Sequence, residues 1–179
     1  GVHVNEIKFW PIYPKFVRDT FEEAFSHEAM VGADTQHRVT EKKWQEVFTA
    51  LRDCLAKCSC GGETFIDVTQ PTCKCINCGK DIQRPMVLKV KKHNVVLQTG
   101  KSVYACHVVH DSDNFKEAKG EIITSRQDPS LVGLRNNSDF SWTAILPNGA
   151  SKPYSSGQVI KLGRGLKINF GNGNEGEII

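Results

Sequence analysis

The cysteines are the residues of this sequence whose spacing points most directly to chemistry. Six of the seven fall between Cys54 and Cys78, with C-x-C and C-x-x-C spacings that are typical of metal-binding loops. A structural zinc site takes four ligands at the corners of a tetrahedron, and two cysteine pairs supply four thiolates. We predict that the ligands are Cys58, Cys60, Cys75 and Cys78. Because four thiolates leave no open coordination position, the predicted zinc is structural and not catalytic.

Two further cysteines leave the ligand set open. Cys73 forms another C-x-C pair with Cys75 and could replace one of the ligands. Cys54 lies on a predicted helix, one turn before Cys58, and could replace Cys58. An odd, clustered set of cysteines argues against a disulfide framework. Residues 1–6 do not have the pattern of a secretion signal. We therefore expect a reducing compartment and a cytoplasmic protein.

The other polar motifs favour turns over catalysis. Gly163-Arg164-Gly165 lacks the spacing and the Lys-Ser/Thr pair of a phosphate-binding loop, so it predicts a tight turn. His107 and His110 are three residues apart in a predicted strand and would face opposite sides of it. No nucleophile elbow or Ser/His/Asp constellation is recognisable. We predict no catalytic residues, and we expect that this chain is not an enzyme.

Three segments must position these residues, and their boundaries follow changes in sequence pattern. We predict a helical segment over residues 1–55, a zinc ribbon over 56–85 and an all-β sandwich over 86–179. The predicted fold class is therefore α+β and multi-domain, with N-terminal helices, a central ribbon and a C-terminal sandwich. The strand candidates of the third segment include residues 87–91, 103–109, 142–146, 158–162 and 166–170.

The helical segment contains two amphipathic patterns. The first begins near Lys15 and the second follows Thr40, a plausible N-cap, with a break over residues 32–34 between them. The two predicted apolar faces consist of Phe16, Val17, Phe21, Ala24 and Phe25, and of Trp44, Val47, Phe48, Leu51 and Leu55. Two helices are too few to close a core, so we expect them to pack against the rest of the chain or an upstream part.

Composition limits the partner classes. The chain has 179 residues and a formal net charge of +3, which is too small to argue for nucleic-acid binding on charge alone. No apolar run approaches the length of a transmembrane helix, so we expect no membrane partner.

A nucleic-acid-binding zinc ribbon is the alternative function, on the basis of Lys80, Arg84, Lys89, Lys91 and Lys92. We favour a solvated strand face for these residues and expect nucleic-acid binding to be unlikely.

Three blocks of the sequence resemble the C-terminal region of a family of prokaryotic Ser/Thr protein kinases. The first block comprises residues 1–3, 9–14, 21–25 and 38–44, and looks like the last helices of a kinase C-lobe. The second comprises residues 60–67 and 75–79, and is similar to the zinc ribbon that follows the kinase domain in this family. The family spacing would place the first cysteine at the position of Lys57, so this chain departs from the pattern there. The third, from Asp128 to Gly171, looks like the family's terminal forkhead-associated-like β domain.

The resemblance implies a regulatory or scaffolding region without catalytic residues of its own. An upstream kinase domain in the same polypeptide would be its main partner, and phosphatases and von Willebrand A-type proteins are implied as further partners. Arg38 matches an arginine that ties the last helices to the kinase lobe. Possible contacts to a phosphopeptide or partner are Arg135, Asn136, Asn137 and Ser138.

Overall fold

Helices occupy the first third of the chain and antiparallel strands most of the remainder in the computed structural model, which describes residues 4–31, 38–171 and 173–179. The mixed α+β class with antiparallel sheets is therefore confirmed. The chain divides into two units, residues 1–83 and 84–179. The predicted break over residues 32–34 and the resemblance at residues 1–3 lie outside the described residues. No helix in the described ranges has both the length and the apolarity needed to cross a bilayer.

The two helices that the sequence predicts in the first unit begin at the expected residues, whereas the other helical elements of this unit were not predicted. Thr40 caps the longest helix, because its Oγ1 accepts a hydrogen bond from the Lys43 amide at 3.2 Å. Pro14 precedes the second helix, which begins at Lys15. The helices are α1 (Val4–Phe9), a 3-10 turn (Trp10–Ile12), α2 (Lys15–Ala24), α3 (His27–Val31) and α4 (Glu41–Asp53).

The predicted apolar faces of α2 and α4 meet through aromatic rings. The Phe21 ring lies 4.8 Å from Trp44 and 6.2 Å from Phe25, and Trp44 lies 5.6 Å from Phe48, measured between centroids. The two outer rings are nonetheless 67% and 50% exposed. The predicted faces are therefore only partly covered within this unit.

Two hairpins follow α4 and complete the first unit. In each hairpin, the loop between the strands carries one of the predicted cysteine pairs. The first hairpin is linked to the helical segment by Tyr13 and Phe65, whose ring centroids are 5.8 Å apart. The strands are β1 (Leu55–Lys57), β2 (Glu63–Phe65), β3 (Thr72–Lys74) and β4 (Asp81–Gln83).

The second unit contains a six-stranded and a four-stranded antiparallel sheet around one apolar core. The orders are β11-β10-β13-β14-β5-β6 and β12-β9-β8-β7. Trp142 of the larger sheet and Ile122, Leu134 and Ile160 of the smaller sheet belong to the same buried cluster. The strands are β5 (Val87–Val90), β6 (His93–Val96), β7 (Ser102–Tyr104), β8 (Ala118–Thr124), β9 (Val132–Asn136), β10 (Trp142–Ile145), β11 (Ser151–Tyr154), β12 (Val159–Lys161), β13 (Lys167–Gly171) and β14 (Asn174–Ile178).

One predicted strand of this unit is wrong. Residues 103–109 were expected to be extended, but β7 ends at Tyr104 and a short helix, α5 (Ala105–Val108), follows it. All four helical residues are buried. An apolar run buried on every side has no period that separates strand from helix, so the sequence pattern alone could not decide.

Candidate metal centre

The structure brings the sulfurs of Cys58, Cys60, Cys75 and Cys78 together at the tips of the two hairpins. All four lie within 4.8 Å of one another. The Cys58–Cys78 and Cys60–Cys75 Sγ–Sγ distances are both 3.8 Å. A tetrahedron with metal–sulfur bonds of about 2.3 Å has edges of about 3.8 Å. The four thiols therefore have the separation that a tetrahedral metal ion requires.

The first loop is shaped by two glycines. The Cys58 amide donates to the Gly62 carbonyl at 2.8 Å, and the Gly61 amide donates to the Cys58 carbonyl at 2.9 Å. Gly61 has a φ of +84°, which glycine adopts without steric cost. A Cβ at Gly62 would lie 2.7 Å from the Cβ of Asn77 in the opposite loop. Glycine at this position therefore allows the two loops to approach closely enough for their sulfurs to meet.

The second loop forms a tight turn around Cys75. The Cys75 amide donates to the Lys80 carbonyl at 2.8 Å, and the Gly79 amide donates to the Cys75 carbonyl at 2.9 Å. Gly79 has a φ of +72°. Cys75 is buried and Cys78 is exposed, and the first loop likewise has one buried and one exposed cysteine. The centre consequently has one face toward the interior of its unit and one toward solvent.

Local hydrogen bonds and burial shift the pKa values of Cys58, Cys60 and Cys78 in different directions. The Asn77 side chain, which donates to the Cys60 sulfur at 3.6 Å, and the Gly62 amide lower the pKa of Cys60 to about 6. The Cys60 amide lowers the pKa of Cys58. The Lys80 amide favours the Cys78 thiolate, but burial and hydrogen bonds to the other cysteines outweigh it and raise the pKa of Cys78 to about 11. A thiolate at Cys60 is thus favoured before metal binds.

Asn77 is a member of the site that the sequence reasoning missed. It is one of the two residues between Cys75 and Cys78, and its amide supports a sulfur of the opposite loop. Its position inside the C-x-x-C motif was visible in the sequence. Its partner was not, because the pairing of the two loops depends on the tertiary fold.

The two alternative ligands lie outside the cluster. Cys54 caps the C-terminal end of α4, and its thiol donates to the Leu51 carbonyl at 3.3 Å. Cys73 lies within β3, where burial raises the pKa of its thiol. The structure therefore brings Cys58, the residue after Lys57, together with Cys60, Cys75 and Cys78.

The four residues suggested for phosphopeptide or partner contact divide into two kinds. Asn136 and Ser138 are 0% and 1% exposed, and they hydrogen-bond to each other. Arg135 pairs with Glu121 at 3.3 Å at the surface, and Asn137 is exposed. Only Arg135 and Asn137 are thus accessible to a partner, because Asn136 and Ser138 are enclosed in their own loop.

The basic residues that suggested nucleic-acid binding are not all available to contact a phosphate group. The Lys91 ammonium donates to the backbone carbonyls of Val109 at 2.6 Å and Cys106 at 3.3 Å. Arg84 is half-buried, whereas Lys80, Lys89 and Lys92 are exposed. This arrangement gives the nucleic-acid alternative no specific support.

The chain gives no family assignment on comparison with known proteins. No protein-family model, curated protein or solved structure matches it significantly. The resemblance to prokaryotic kinases therefore stays a prediction from the residues quoted above.

Proposed function

We propose that this chain is a non-catalytic regulatory or scaffolding region of a Ser/Thr protein kinase, in which a structural zinc ion holds the cysteine ribbon together. The observation that carries the proposal is the incompletely covered apolar face of the helical segment. The kinase assignment itself comes from the sequence resemblance, and the exposed face supplies a reason for such a segment to need a larger partner.

The exposed large apolar side chains are concentrated in the helical segment. Large apolar residues that are at least 47% exposed in α1 to α4 and directly beside them are Val4, Ile7, Phe9, Phe25, Met30, Val31 and Phe48. Many exposed large apolar side chains in one segment are characteristic of a region that packs against another protein or domain. The end of a kinase C-lobe, which would receive such helices, fits this requirement.

The proposed zinc ion would have a mechanical role. Four thiolates would satisfy its coordination, so no position would remain for substrate or water. Each hairpin has strands of only three residues, and such short hairpins have little independent stability. Binding of the ion to both loops would therefore make the ribbon a rigid spacer.

The second unit would supply the protein-interaction surface of the region. Its buried core makes it a stable platform, and the partly exposed Arg135 and the exposed Asn137 lie where β9 ends and its loop begins. We propose that this surface docks a phosphorylated segment of the kinase or an associated phosphatase or von Willebrand A-type protein. Such a role requires no catalytic residue in this chain and fits a cytoplasmic location.

The kinase assignment is tested by the size and composition of the endogenous protein. An antibody raised against this chain should detect a polypeptide far heavier than 19.9 kDa in the source cell. Its tryptic digest should contain peptides of a kinase catalytic domain. A band at the mass of this chain, with no kinase peptides in the digest, would refute the proposal.

The zinc assignment is tested separately by metal analysis of the purified chain. Native mass spectrometry should detect zinc on the protein, and elemental analysis should identify it against iron, copper and nickel. A protein that folds and keeps its ribbon protected from protease without any bound metal would contradict the structural role.

A further inference from the structure

A second group of side chains that could bind a metal ion lies in the second unit. His93, Cys106 and His107 each present a ligand atom, and these atoms all lie within 4.8 Å of one another. The three residues are 5%, 3% and 0% exposed. The two imidazole rings meet edge to face with centroids 4.7 Å apart. Two imidazoles and a thiol are thus buried side by side in the second unit.

Regular elements hold these side chains in place. His93 begins β6, and the other two residues are consecutive in α5. The Lys91 ammonium, in the turn before β6, bonds to the Cys106 carbonyl and so ties the β5–β6 hairpin to α5. The side-chain amide of Asn174, at the start of β14, also donates to the Val108 carbonyl at the end of α5, at 3.0 Å. A site on fixed elements keeps its donor atoms in position better than one on loops.

We propose that His93, Cys106 and His107 form a second metal site, which takes zinc or a similar borderline transition-metal ion. Imidazole nitrogen and thiolate sulfur are the donors that such ions prefer, whereas calcium and magnesium select oxygen. Three protein ligands leave one position of a tetrahedron for water or another small ligand. Because the ligands are enclosed, the ion would enter as the unit folds, and its binding energy would stabilise this unit. This inference does not depend on the proposed function of the ribbon or on the kinase assignment.

The protonation of His107 gives the site a specific reporter. The Tyr104 amide donates to His107 Nδ1 at 3.1 Å, so the neutral ring carries its proton on Nε2. A metal ion that binds Nδ1 takes the place of the Tyr104 amide. A metal ion that binds Nε2 requires the ring proton to move to Nδ1, which also breaks the hydrogen bond from the Tyr104 amide. In either case the environment of Nδ1 changes. The Tyr104 amide resonance therefore differs between the metal-loaded and metal-free second unit.

The test counts zinc ions on the full chain purified from zinc-supplemented cells, by native mass spectrometry. The wild type should carry two ions, and Cys106→Ala and His93→Gln should each carry one. Cys54→Ala is the matched control, because Cys54 is also a buried cysteine at a helix but lies outside both clusters. It should keep two ions.

Two results overturn the proposal. One is a zinc count that is the same in the wild type, Cys106→Ala and His93→Gln, and the other is a Tyr104 amide resonance that does not move when the metal is removed from the wild type. The second measurement needs no variant, so it decides the question even if the substitutions prevent folding. Loss of zinc from the ribbon alone, in Cys75→Ser, would leave one ion and would not affect this test.

Discussion

At the residue scale, the cysteines of the ribbon differ in what surrounds each sulfur. Cys75 is 2% exposed and belongs to the cluster, whereas Cys73, two residues earlier, does not. Both belong to closely spaced cysteine motifs, so spacing alone does not separate their roles. Their different positions lead to opposite predictions for the same substitution.

Replacing Cys75 with Ser should lower the number of bound zinc ions by one and unfold the two hairpins. Zinc binding at a structural site contributes on the order of 10 kcal/mol, which is as large as the stability of a typical domain. Native mass spectrometry and limited proteolysis measure the two effects. Cys73→Ser is the control and should keep the metal. Equal metal content in the two variants would contradict the ligand assignment.

Asn136 uses its whole side chain in hydrogen bonds to its own loop and to β11. Its Nδ2 donates to the carbonyls of Phe140 at 2.7 Å and Tyr154 at 3.0 Å, and its Oδ1 accepts from the amide and hydroxyl of Ser138. Substitution by Ala should destabilise the second unit by about 3 kcal/mol, because buried polar groups lose their partners. Urea unfolding checks this value. The control is Asn137→Ala at the exposed neighbouring position, which should change stability by less than about 0.5 kcal/mol. A similar loss of stability in both variants would contradict the structural role of Asn136.

Asp128 provides a pH-dependent prediction. The hydroxyl and amide of Ser130 donate to its carboxylate at 2.6 and 2.9 Å and lower its pKa from the ordinary value of an aspartate. Because the pKa is lower in the folded state, the ionised carboxylate stabilises the loop at pH values above the ordinary pKa, and this contribution is lost as the pH falls through the lowered pKa. In an NMR titration, Ser130→Ala should move the midpoint of Asp128 upward, toward the ordinary value of an aspartate. An unchanged midpoint would show that Ser130 does not set the acidity.

At the scale of elements, the two sheets of the second unit approach closely at Gly120 in β8. A Cβ there would lie 2.7 Å from Val103, 2.8 Å from Trp142 and 2.9 Å from Leu134. Trp142 belongs to β10 in the opposite sheet. The absence of a side chain at Gly120 therefore makes room for the largest buried residue of the core.

Gly120→Ala should destabilise the second unit by about 1–3 kcal/mol through overpacking. Gly163→Ala is the control, since a Cβ there meets nothing within 4 Å and its φ is not in the left-handed region. Chemical denaturation monitored by tryptophan fluorescence compares the two variants. If Gly120→Ala were no less stable than Gly163→Ala, the close sheet contact would not be rigid.

At the scale of the whole molecule, two units have separate sources of stability. The apolar core cluster lies entirely within the second unit, and the cysteine ribbon lies entirely within the first. Residues that belong to different units and share no partners usually have independent effects on stability. The two units should therefore respond to different substitutions.

Scanning calorimetry should resolve this independence as two transitions. Cys75→Ser should abolish or lower the transition of the first unit and leave the other in place, and Gly120→Ala should do the reverse. The double variant should combine both shifts. A single transition that moves in all three variants would mean that the units unfold cooperatively.

The sequence by itself determined the features that depend on near neighbours in the chain. The start of α4 directly after Thr40 follows from capping, and the turn at Gly149, with a φ of +84°, follows from an Asn-Gly pair. The cysteine spacing indicated the four residues that the structure brings together. These signals are local, because capping, turn conformation and loop spacing each involve only a few consecutive residues.

Only the tertiary structure decided what depends on distant residues. It enclosed Asn136 in its loop, made α5 a helix, and brought His93 to Cys106 and His107. It also left Phe48 half-exposed on a helical face that the periodicity alone predicts to be buried. The physical reason is the same in each case: burial and contact depend on which elements pack together, and a one-dimensional pattern gives the apolar side of an element but not the partner that covers it.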